Sequence, residues 1–313
     1  WIGTQKGLNK LIDTSGIFKT YYALEDNSFS LSNNSVRDIY HDTRGTLWIA
    51  TAGGLNKFIP SKNKFITISS DKQNARWIID DAVNTIIELP NQDLMIGTEQ
   101  GVSVISSRGT NKFNLSSFDD KSPLGKAQFM DLCIDHKGKV WIATAGSGIF
   151  HFYPDENRLI SLNDKPAYKK INEDFVNVIF EDHQGIIWIG YAWKGLNKVV
   201  PSKSYFSHYK QNESGNSGLL SNSVWSVIQV DQNRFFVATD KGISVFNNKT
   251  KTFSSIRKKD GLSSNNIRAM HKDSRDNVWI GTFSKGLMLY SLEDNHYRYF
   301  GNKPDGPYSM FNN

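Results

Sequence analysis

Apolar and β-branched residues follow one another along the chain in runs of four to seven, separated by turns rich in Gly, Pro, Asn and Asp. The pattern is clear at 35–69, where such runs occupy 35–41, 46–51, 55–59 and 65–68. The turns between them are too short for a crossover helix, so the runs are expected to pair as a four-stranded antiparallel meander. We refer to the strands of such a unit as a to d.

The unit recurs seven times, because strand b repeats a Trp-Ile-Gly-Thr-like phrase every 43 to 48 residues. The copies begin at Trp1, Trp48, Met95, Trp141, Trp188, Phe236 and Trp279. A period in the forties indicates units that bury their apolar faces only by stacking on neighbours. The repeat predicts an all-β, seven-bladed β-propeller of four-stranded antiparallel blades, with the strand b tryptophans buried between blades. A β-sandwich or β-solenoid is the alternative, but neither usually repeats one motif with this number and period.

Seven blades account for nearly the whole chain as a single toroidal domain. They are expected near 1–30, 31–75, 76–120, 121–167, 168–215, 216–259 and 260–313. The first copy lacks its strand a, and 305–313 resembles 260–266, the segment that precedes a strand a. We therefore expect an incomplete first blade and a piece of a longer multi-domain chain. No stretch approaches the length of a membrane-spanning helix.

An aspartate recurs at the end of strand a and is usually followed by Gly or Asn, which is typical of a hairpin turn. These aspartates are Asp42, Asp135, Asp182, Asp231 and Asp273. Residues that recur from blade to blade are interpreted as scaffold. The histidines at the same turn, His41, His136, His183 and His271, belong to separate blades, so they are not expected to form a metal site. No cofactor is expected.

Composition narrows the function only slightly. The net charge is +6 and the pI is near 9.1, which fits acidic partners and also fits simple solubility. Cys133 is the only cysteine, so no internal disulfide can form, and it is interpreted as a small buried hydrophobe. The Gly-rich turns join strands and precede no helix, so phosphate or nucleic-acid binding is not indicated.

Lysine precedes the glycine of the b–c turn in four expected blades, at Lys6, Lys194, Lys241 and Lys285. Blades five, six, seven and one are contiguous in a closed ring, which predicts a basic arc on the face that carries the b–c turns and the d–a connections. Solvated turns are the alternative, since Lys-Gly is common at exposed turns.

Aromatic and cationic residues are also expected on this face, in the long and dissimilar d–a connections and at the start of strand a. Aromatic rings beside cations suit sugar rings and their acidic substituents, through stacking and charge-assisted hydrogen bonds. No catalytic residue or metal ligand is predicted. The expected ligand-binding residues are Lys6, Arg37, Arg76, Trp77, Trp193, Lys194, Trp225, Lys241, Arg268 and Lys285.

Two segments carry a family resemblance. Residues 31–58, which contain Leu31-Ser-Asn-Asn-Ser-Val36 and Trp48-Ile-Ala-Thr51, resemble the two-component regulator propeller repeat, and so does the stretch from Asp260 to Leu287. The resemblance covers essentially the whole chain, although Met95 and Phe236 replace the tryptophan in blades three and six.

This resemblance implies a periplasmic sensor region of a hybrid two-component system that detects oligosaccharides from complex polysaccharides and signals to a histidine kinase. It also implies neighbouring propeller and β-sandwich domains, homodimeric signalling, and a transmembrane helix outside this segment. It assigns no ligand residue, because the repeat motif is scaffold.

Two other functions remain open on the residues alone. A propeller glycosidase or polysaccharide lyase needs a carboxylate pair or a Tyr/His/Arg cluster in one pocket. The non-repeating acids, Asp80-Asp81, Glu88, Asp119-Asp120 and Glu173-Asp174, show no shared spacing. A protein-interaction platform is the third possibility.

Overall fold

The computed structural model describes residues 1–12, 16–71, 77–106, 108–116, 127–156, 158–162, 175–200, 205–212 and 217–300. They confirm the predicted all-β fold, a β-propeller of seven antiparallel blades in which the first blade has three strands and each other blade has four. Contacts divide the chain into two compact units, Trp1–Leu162 with four blades and Asn163–Asn313 with three. The single-domain organisation stays a prediction.

The first unit contains fifteen strands. They are β1 (Ile2–Thr4), β2 (Gly7–Leu11), β3 (Phe18–Tyr21), β4 (Val36–His41), β5 (Leu47–Thr51), β6 (Gly54–Ile59), β7 (Lys64–Ile68), β8 (Val83–Glu88), β9 (Leu94–Thr98), β10 (Gly101–Ile105), β11 (Asn111–Ser116), β12 (Gln128–Ile134), β13 (Val140–Ala145), β14 (Ile149–Tyr153) and β15 (Arg158–Ser161).

The second unit contains twelve strands. They are β16 (Val176–Glu181), β17 (Ile187–Tyr191), β18 (Leu196–Val200), β19 (Tyr205–Tyr209), β20 (Val224–Gln229), β21 (Arg234–Thr239), β22 (Gly242–Asn247), β23 (Thr252–Ile256), β24 (Ile267–Lys272), β25 (Asn277–Thr282), β26 (Leu287–Ser291) and β27 (Tyr297–Phe300). The described helical segments are short 3-10 turns such as Pro60–Lys62 and Lys258–Asp260.

Strand a is the innermost strand of each four-stranded blade. In the first unit β4, β8 and β12 pack side by side, and β1 packs on β4; in the second unit β16, β20 and β24 do the same. Apolar residues of facing blades fill the wedges between them, because alternate side chains of each strand point into a wedge. The inner strands therefore hold one end of every blade at fixed spacing.

The strand b aromatics lie in these wedges, as the sequence predicts for most copies. Trp48, Trp141 and Trp188 are fully buried, and Met95 and Phe236 are almost so. Trp1 is wrong as a buried residue, since it is 37% exposed: it precedes the first residue of β1 and is covered on one side by Tyr21 and Phe58. Trp279 is half-buried.

A hydrogen-bonded turn locks each of four tryptophans. The Asp42 carboxylate accepts the Trp48 indole N–H at 2.9 Å through Oδ2, and the backbone N–H groups of Arg44 and Thr46 through Oδ1. Burial alone would raise the pKa of Asp42, but these hydrogen bonds outweigh it and lower that pKa. The same indole bond recurs at Trp141 with Asp135, Trp188 with Asp182 and Trp279 with Asp273.

The blade with Phe236 in place of tryptophan has different partners for the turn aspartate and for the ring. Asp231 in the Phe236 blade pairs with the guanidinium of Arg234 instead of an indole. Strand c places a lysine over the ring of Trp48 and Trp188 at 5.2 and 5.4 Å, whereas Val245 is the partner of Phe236. In the Trp48 and Trp188 blades the cation lies against the π face of the indole. His151 and Leu289 are the strand c partners of Trp141 and Trp279.

Candidate ligand-binding face

The b–c turns and the d–a connections lie on one face in both units, as the meander requires. The amide N–H of Gly195 in a b–c turn donates to the carbonyl of Asn222 in a connection at 2.8 Å, and Phe283 donates to Asn266 at 2.9 Å. In the first unit Gly7 donates to Asn34 at 2.7 Å. Connections and turns are therefore held together as one surface within each unit.

A threonine at the end of strand b shapes the turns that carry most of the predicted lysines. Thr239 Oγ1 donates to the carbonyl of Gly242 and accepts the amide N–H of Lys241, and Thr282 does the same for Lys285. Glycine is needed next because its φ is positive, +127° at Gly242.

The side chains of Lys194, Lys241 and Lys285 are exposed on three successive blades of the second unit. Their shared position in the turns supports a local concentration of positive charge there. Lys6 occupies the equivalent turn of the first unit, where its N–H donates to Thr4 Oγ1. The arc of four lysines predicted across a closed ring stays a prediction.

The variable position at the start of strand a is a β-bulge in every four-stranded blade. The register steps from Val36–Thr51 to Asp38–Ala50 and leaves Arg37 opposite no partner. The bulged residues are Arg37, Asn84, Met130, Asn177, Trp225 and Arg268. A bulge redirects a side chain out of the strand, and bulges are enriched beside functional sites.

Most of the bulged side chains reach a neighbouring blade. In the first unit the Arg37 guanidinium contacts Asn84 Oδ1 at 2.5 Å and Glu99 Oε1 at 2.8 Å, and Asn84 Nδ2 donates to the Phe129 carbonyl at 2.7 Å. Arg37 is thus engaged by a carboxylate, which reduces its charge toward an anionic ligand. Trp77 is half-buried, and its carbonyl accepts a hydrogen bond from Asn111 Nδ2. Arg76 lies outside the described residues.

In the second unit two bulged residues stack on each other. The Arg268 guanidinium lies 3.7 Å from the centre of the Trp225 ring and 4.8 Å from that of Phe283. We call Trp225, Arg268 and Phe283 the Arg268 cluster. Burial lowers the pKa of Arg268, and the charge of Asp240 partly opposes that shift. Phe283 is 56% exposed, so the cluster presents an open aromatic face.

Two polar atoms of the Arg268 cluster are unsatisfied. In the part of the chain that the structure describes, neither Trp225 Nε1 nor Arg268 Nε has a hydrogen-bond partner, although both are shielded from solvent. Unpaired buried donors cost free energy, and such groups persist mainly where another role retains them.

A second aromatic pair lies on the same face of this unit. Trp193 is 59% exposed, and its ring contacts that of Phe175 edge to face, with 5.1 Å between centroids. We call these two residues the Trp193 pair. A polar link joins their blade to the next, because Asn177 Nδ2 donates to the Val224 carbonyl at 2.9 Å.

The sequence missed Phe175, Phe283, Asp240 and Glu99. Turn length is a signal for Phe283. The b–c turns that contain Trp193 and Phe283 are each one residue longer than the turn that contains Lys241. The partnership of Arg37 with Glu99 leaves no such signal, since the two residues lie on different blades.

The described ranges contain no group of three or more His, Cys, Asp and Glu residues that could hold a metal ion. In the same ranges no helix is long and apolar enough to cross a membrane.

Comparison with known proteins adds sequence relatives. Residues 30–53, 170–192 and 261–284 match the sequence profile of the two component regulator propeller. Histidine kinase P4 of Formosa agariphila is 23% identical over 171 residues, which cover 53% of this chain and 12% of the kinase. The chain therefore spans a small part of that relative.

Two solved structures share the fold. The extracellular domain assigned to a hybrid two component system of B. thetaiotaomicron has a TM-score of 0.72 at 21% identity, with 95% of this chain and 39% of that one covered. Streptogramin B lyase has a TM-score of 0.63 at 11% identity, with 90% and 88% covered. At these identities the similarity establishes the β-propeller fold alone.

Proposed function

We propose, from the premise that this chain is built of two component regulator propeller repeats, that it is a non-catalytic extracytoplasmic sensor domain. It binds an oligosaccharide on the b–c face of its second unit. Its signal passes to a histidine kinase elsewhere in a longer chain, through neighbouring propeller and β-sandwich domains and a dimer. The family repeats and the kinase relative support the sensor role, and a periplasmic location follows from it.

The Arg268 cluster is the observation that carries the ligand assignment. An exposed aromatic ring offers a sugar an apolar stacking surface, and a guanidinium held against a ring offers fixed donors to hydroxyl or acidic groups. The unsatisfied N–H groups of Trp225 and Arg268 gain a partner if a ligand oxygen reaches them after a small side-chain shift. The Trp193 pair supplies a second stacking surface on the same face.

The test is a screen of the 313-residue chain on a glycan array, followed by calorimetry with each glycan that binds. Trp225→Ala and Phe283→Ala are each expected to weaken binding about fivefold, since stacking on one aromatic ring contributes about 1 kcal/mol. Phe29→Ala is the matched control, because Phe29 is 48% exposed but belongs to the first unit.

Two outcomes would overturn the proposal. If binding is unaffected by both variants, the ligand does not occupy this face. If a bound glycan is cleaved by the chain, the domain is an enzyme, which is the alternative that the sequence leaves open.

A further inference from the structure

A pocket of about 420 Å³ opens on the face of the second unit that carries the b–c turns, and no residue of the Arg268 cluster lines it. Its walls come from residues 211–212 and 219–220 after β19, the turn between β21 and β22, and the connection after β23. Leu219 and Leu220 form a buried apolar floor. The polar lining residues are Gln211, Asn212, Asp240, Lys241, Arg257 and Asn265.

Hydrogen bonds hold the walls in place. The Leu220 N–H donates to Ser244 Oγ at 2.9 Å, which ties the floor to strand β22. The Gln211 N–H donates to Asn222 Oδ1 at 2.7 Å, and Asn265 Oδ1 accepts the Lys258 N–H at 2.7 Å. These bonds are internal to the protein, so the chain itself fixes the backbone segments that line the pocket.

Glycine keeps one wall close to the floor. A Cβ atom at Gly242 would lie 2.7 Å from the carbonyl oxygen of Ile256 and 2.9 Å from Leu220 Cδ1. The aliphatic stem of Arg257 lies just beyond, with its Cγ at 3.3 Å from the same position. The turn at Lys241 therefore fits against the Ile256 carbonyl and Leu220 only because residue 242 has no side chain.

The charges of the lining favour an anion. Lys241 and Arg257 bring two cations against the single carboxylate of Asp240. Among the described residues no group accepts a hydrogen bond from Arg257 Nε, although this atom is shielded from solvent. A guanidinium with an unused donor suits a carboxylate or sulfate, whose oxygens accept paired bonds.

The remaining lining matches the rest of a sugar. Side-chain amides at Gln211, Asn212 and Asn265 can donate to and accept from hydroxyl groups, and the Asp240 carboxylate accepts from them. The leucine floor suits the apolar C–H face of a pyranose ring. A pocket with an apolar base and a few placed polar groups is the usual form of a small-ligand site.

We propose that this pocket is a subsite for one acidic sugar unit of the oligosaccharide, with Lys241 and Arg257 binding its carboxylate or sulfate ester. The inference rests on the proposed function and specifies its ligand as an anionic glycan. Asp240 lies at the border between the two sites, since it lines the pocket and its charge acts on Arg268. The sugar in the pocket is thus a neighbour of the unit that stacks on the Arg268 cluster.

The experiment follows the Nε–H signal of Arg257 by heteronuclear NMR of the 313-residue chain, assigned by its disappearance in Arg257→Lys. The probes are D-glucuronate, D-glucose 6-sulfate and D-glucose. The two anionic sugars are expected to shift this signal until it saturates, and glucose is expected to leave it unchanged. The sugar that binds more tightly identifies the acidic group as a carboxylate or a sulfate ester. Lys241→Gln is expected to weaken binding about tenfold, as loss of one charge-assisted hydrogen bond does.

Lys258→Gln is the matched control, because it removes an exposed neighbouring charge that does not line the pocket. Equal weakening by Lys258→Gln would indicate that the positive charge of the whole surface attracts the anion, and would overturn the subsite. Equal shifts with glucose, or no saturable shift with either anion at 50-fold excess over protein, would also overturn it.

The Trp225 indole signal separates this proposal from the sensor function. If an array-selected glycan shifts the Trp225 signal but leaves Arg257 unchanged, the subsite is wrong and the ligand face stands. If Arg257 responds to the anionic sugars while no glycan affects Trp225, the pocket binds acidic sugars and the Arg268 cluster is not part of the sensor face.

Discussion

The Trp188 indole N–H donates to Oδ2 of Asp182 at 2.9 Å, where both side chains are buried. The other carboxylate oxygen, Oδ1, accepts the backbone N–H groups of Gln184 and Ile186. One aspartate therefore fixes both the a–b turn and the orientation of the aromatic ring that fills the wedge. The same pair in other blades makes this the repeated joint of the fold.

Replacing Asp182 by Asn is expected to lower the free energy of unfolding by about 1–3 kcal/mol, because the amide cannot accept through both of its atoms and leaves a buried donor unpaired. Asp231→Asn is the matched control, since that exposed aspartate bonds Arg234 and should cost less than about 1 kcal/mol. Urea denaturation measures both. Equal losses would show that the indole bond adds nothing.

Replacing Trp188 by Ala should cost about 3–5 kcal/mol, because a fully buried aromatic leaves a cavity that packed sheets fill poorly. Trp1→Ala, at a residue 37% exposed, is the comparison and should cost clearly less. Thermal or urea unfolding of the two variants checks the order, and a reversed order contradicts the wedge role.

Two glycine substitutions separate backbone strain from close contact. Gly146 has a φ of +108° with no heavy atom within 4 Å of an added Cβ, so Gly146→Ala should cost about 1–3 kcal/mol from strain. Gly195 has a φ of +85°, and its added Cβ would lie 2.2 Å from the Tyr209 carbonyl oxygen. Gly195→Ala should therefore be clearly the more destabilising in urea denaturation.

The stability of the first unit should fall on acidification through His151. Burial against Trp141 lowers the pKa of His151 to about 3, with Lys139 adding to the shift and Asp135 opposing it. The unfolded chain takes up this proton near pH 6.5, so stability falls by about 1.4 kcal/mol per pH unit from 6.5 toward 3.

The measurement compares urea denaturation at pH 7.5 and 4.5. The protein is expected to lose about 2–3 kcal/mol more than His151→Gln between these values. Identical losses would mean that His151 takes up its proton in the folded state as it does in the unfolded one.

Ionisation of Asp38 should make the free energy of unfolding fall as the pH rises, which is opposite to the effect of His151. Burial raises its pKa to about 6, although hydrogen bonds from the Ile86 and Ile39 amides and from Thr85 oppose that shift. The folded protein holds this proton at pH values where the unfolded chain has lost it, so stability present below pH 3.8 is lost as the pH rises to 6.

Between pH 4.5 and 7 the protein is expected to lose about 1–2 kcal/mol more than Asp38→Asn, since part of the side chain reaches solvent. Urea denaturation of both proteins across that range is the measurement. A variant with the same pH dependence as the parent would contradict the raised pKa.

The loss of affinity for an anionic glycan should depend on salt concentration in lysine variants and be independent of it in an Arg268 variant. Removal of Lys194 and Lys285 together, two exposed lysines that do not line the pocket, should weaken binding mainly at low salt, because exposed charges are screened beyond about 10 Å at 0.1 M. Arg268→Gln should weaken it at both low and high salt, since its guanidinium is held against the Trp225 ring. Calorimetry at two salt concentrations tests this, and equal salt dependence for both variants contradicts it.

The sequence by itself determined the blades. Strand runs, glycines at positive φ and the aspartate turns depend on residues within about six positions of each other. The runs and the glycines recur in all seven copies and the aspartate in five, so each blade is specified by local hydrogen bonding and alternation. The sequence also placed the variable position of strand a, which the structure shows to be a bulge in six blades, at Arg37 and Arg268 among others.

Only the tertiary structure decided what these bulged residues contact. Arg37 is paired with Glu99 and Arg268 is stacked on Trp225, although the two residues of each pair belong to different blades. The pocket at Lys241 likewise combines two d–a connections and a b–c turn, which strands separate in the sequence. Such contacts depend on how the blades pack and how dissimilar loops fold over them, and a repeating pattern carries no information about the residues in which its copies differ.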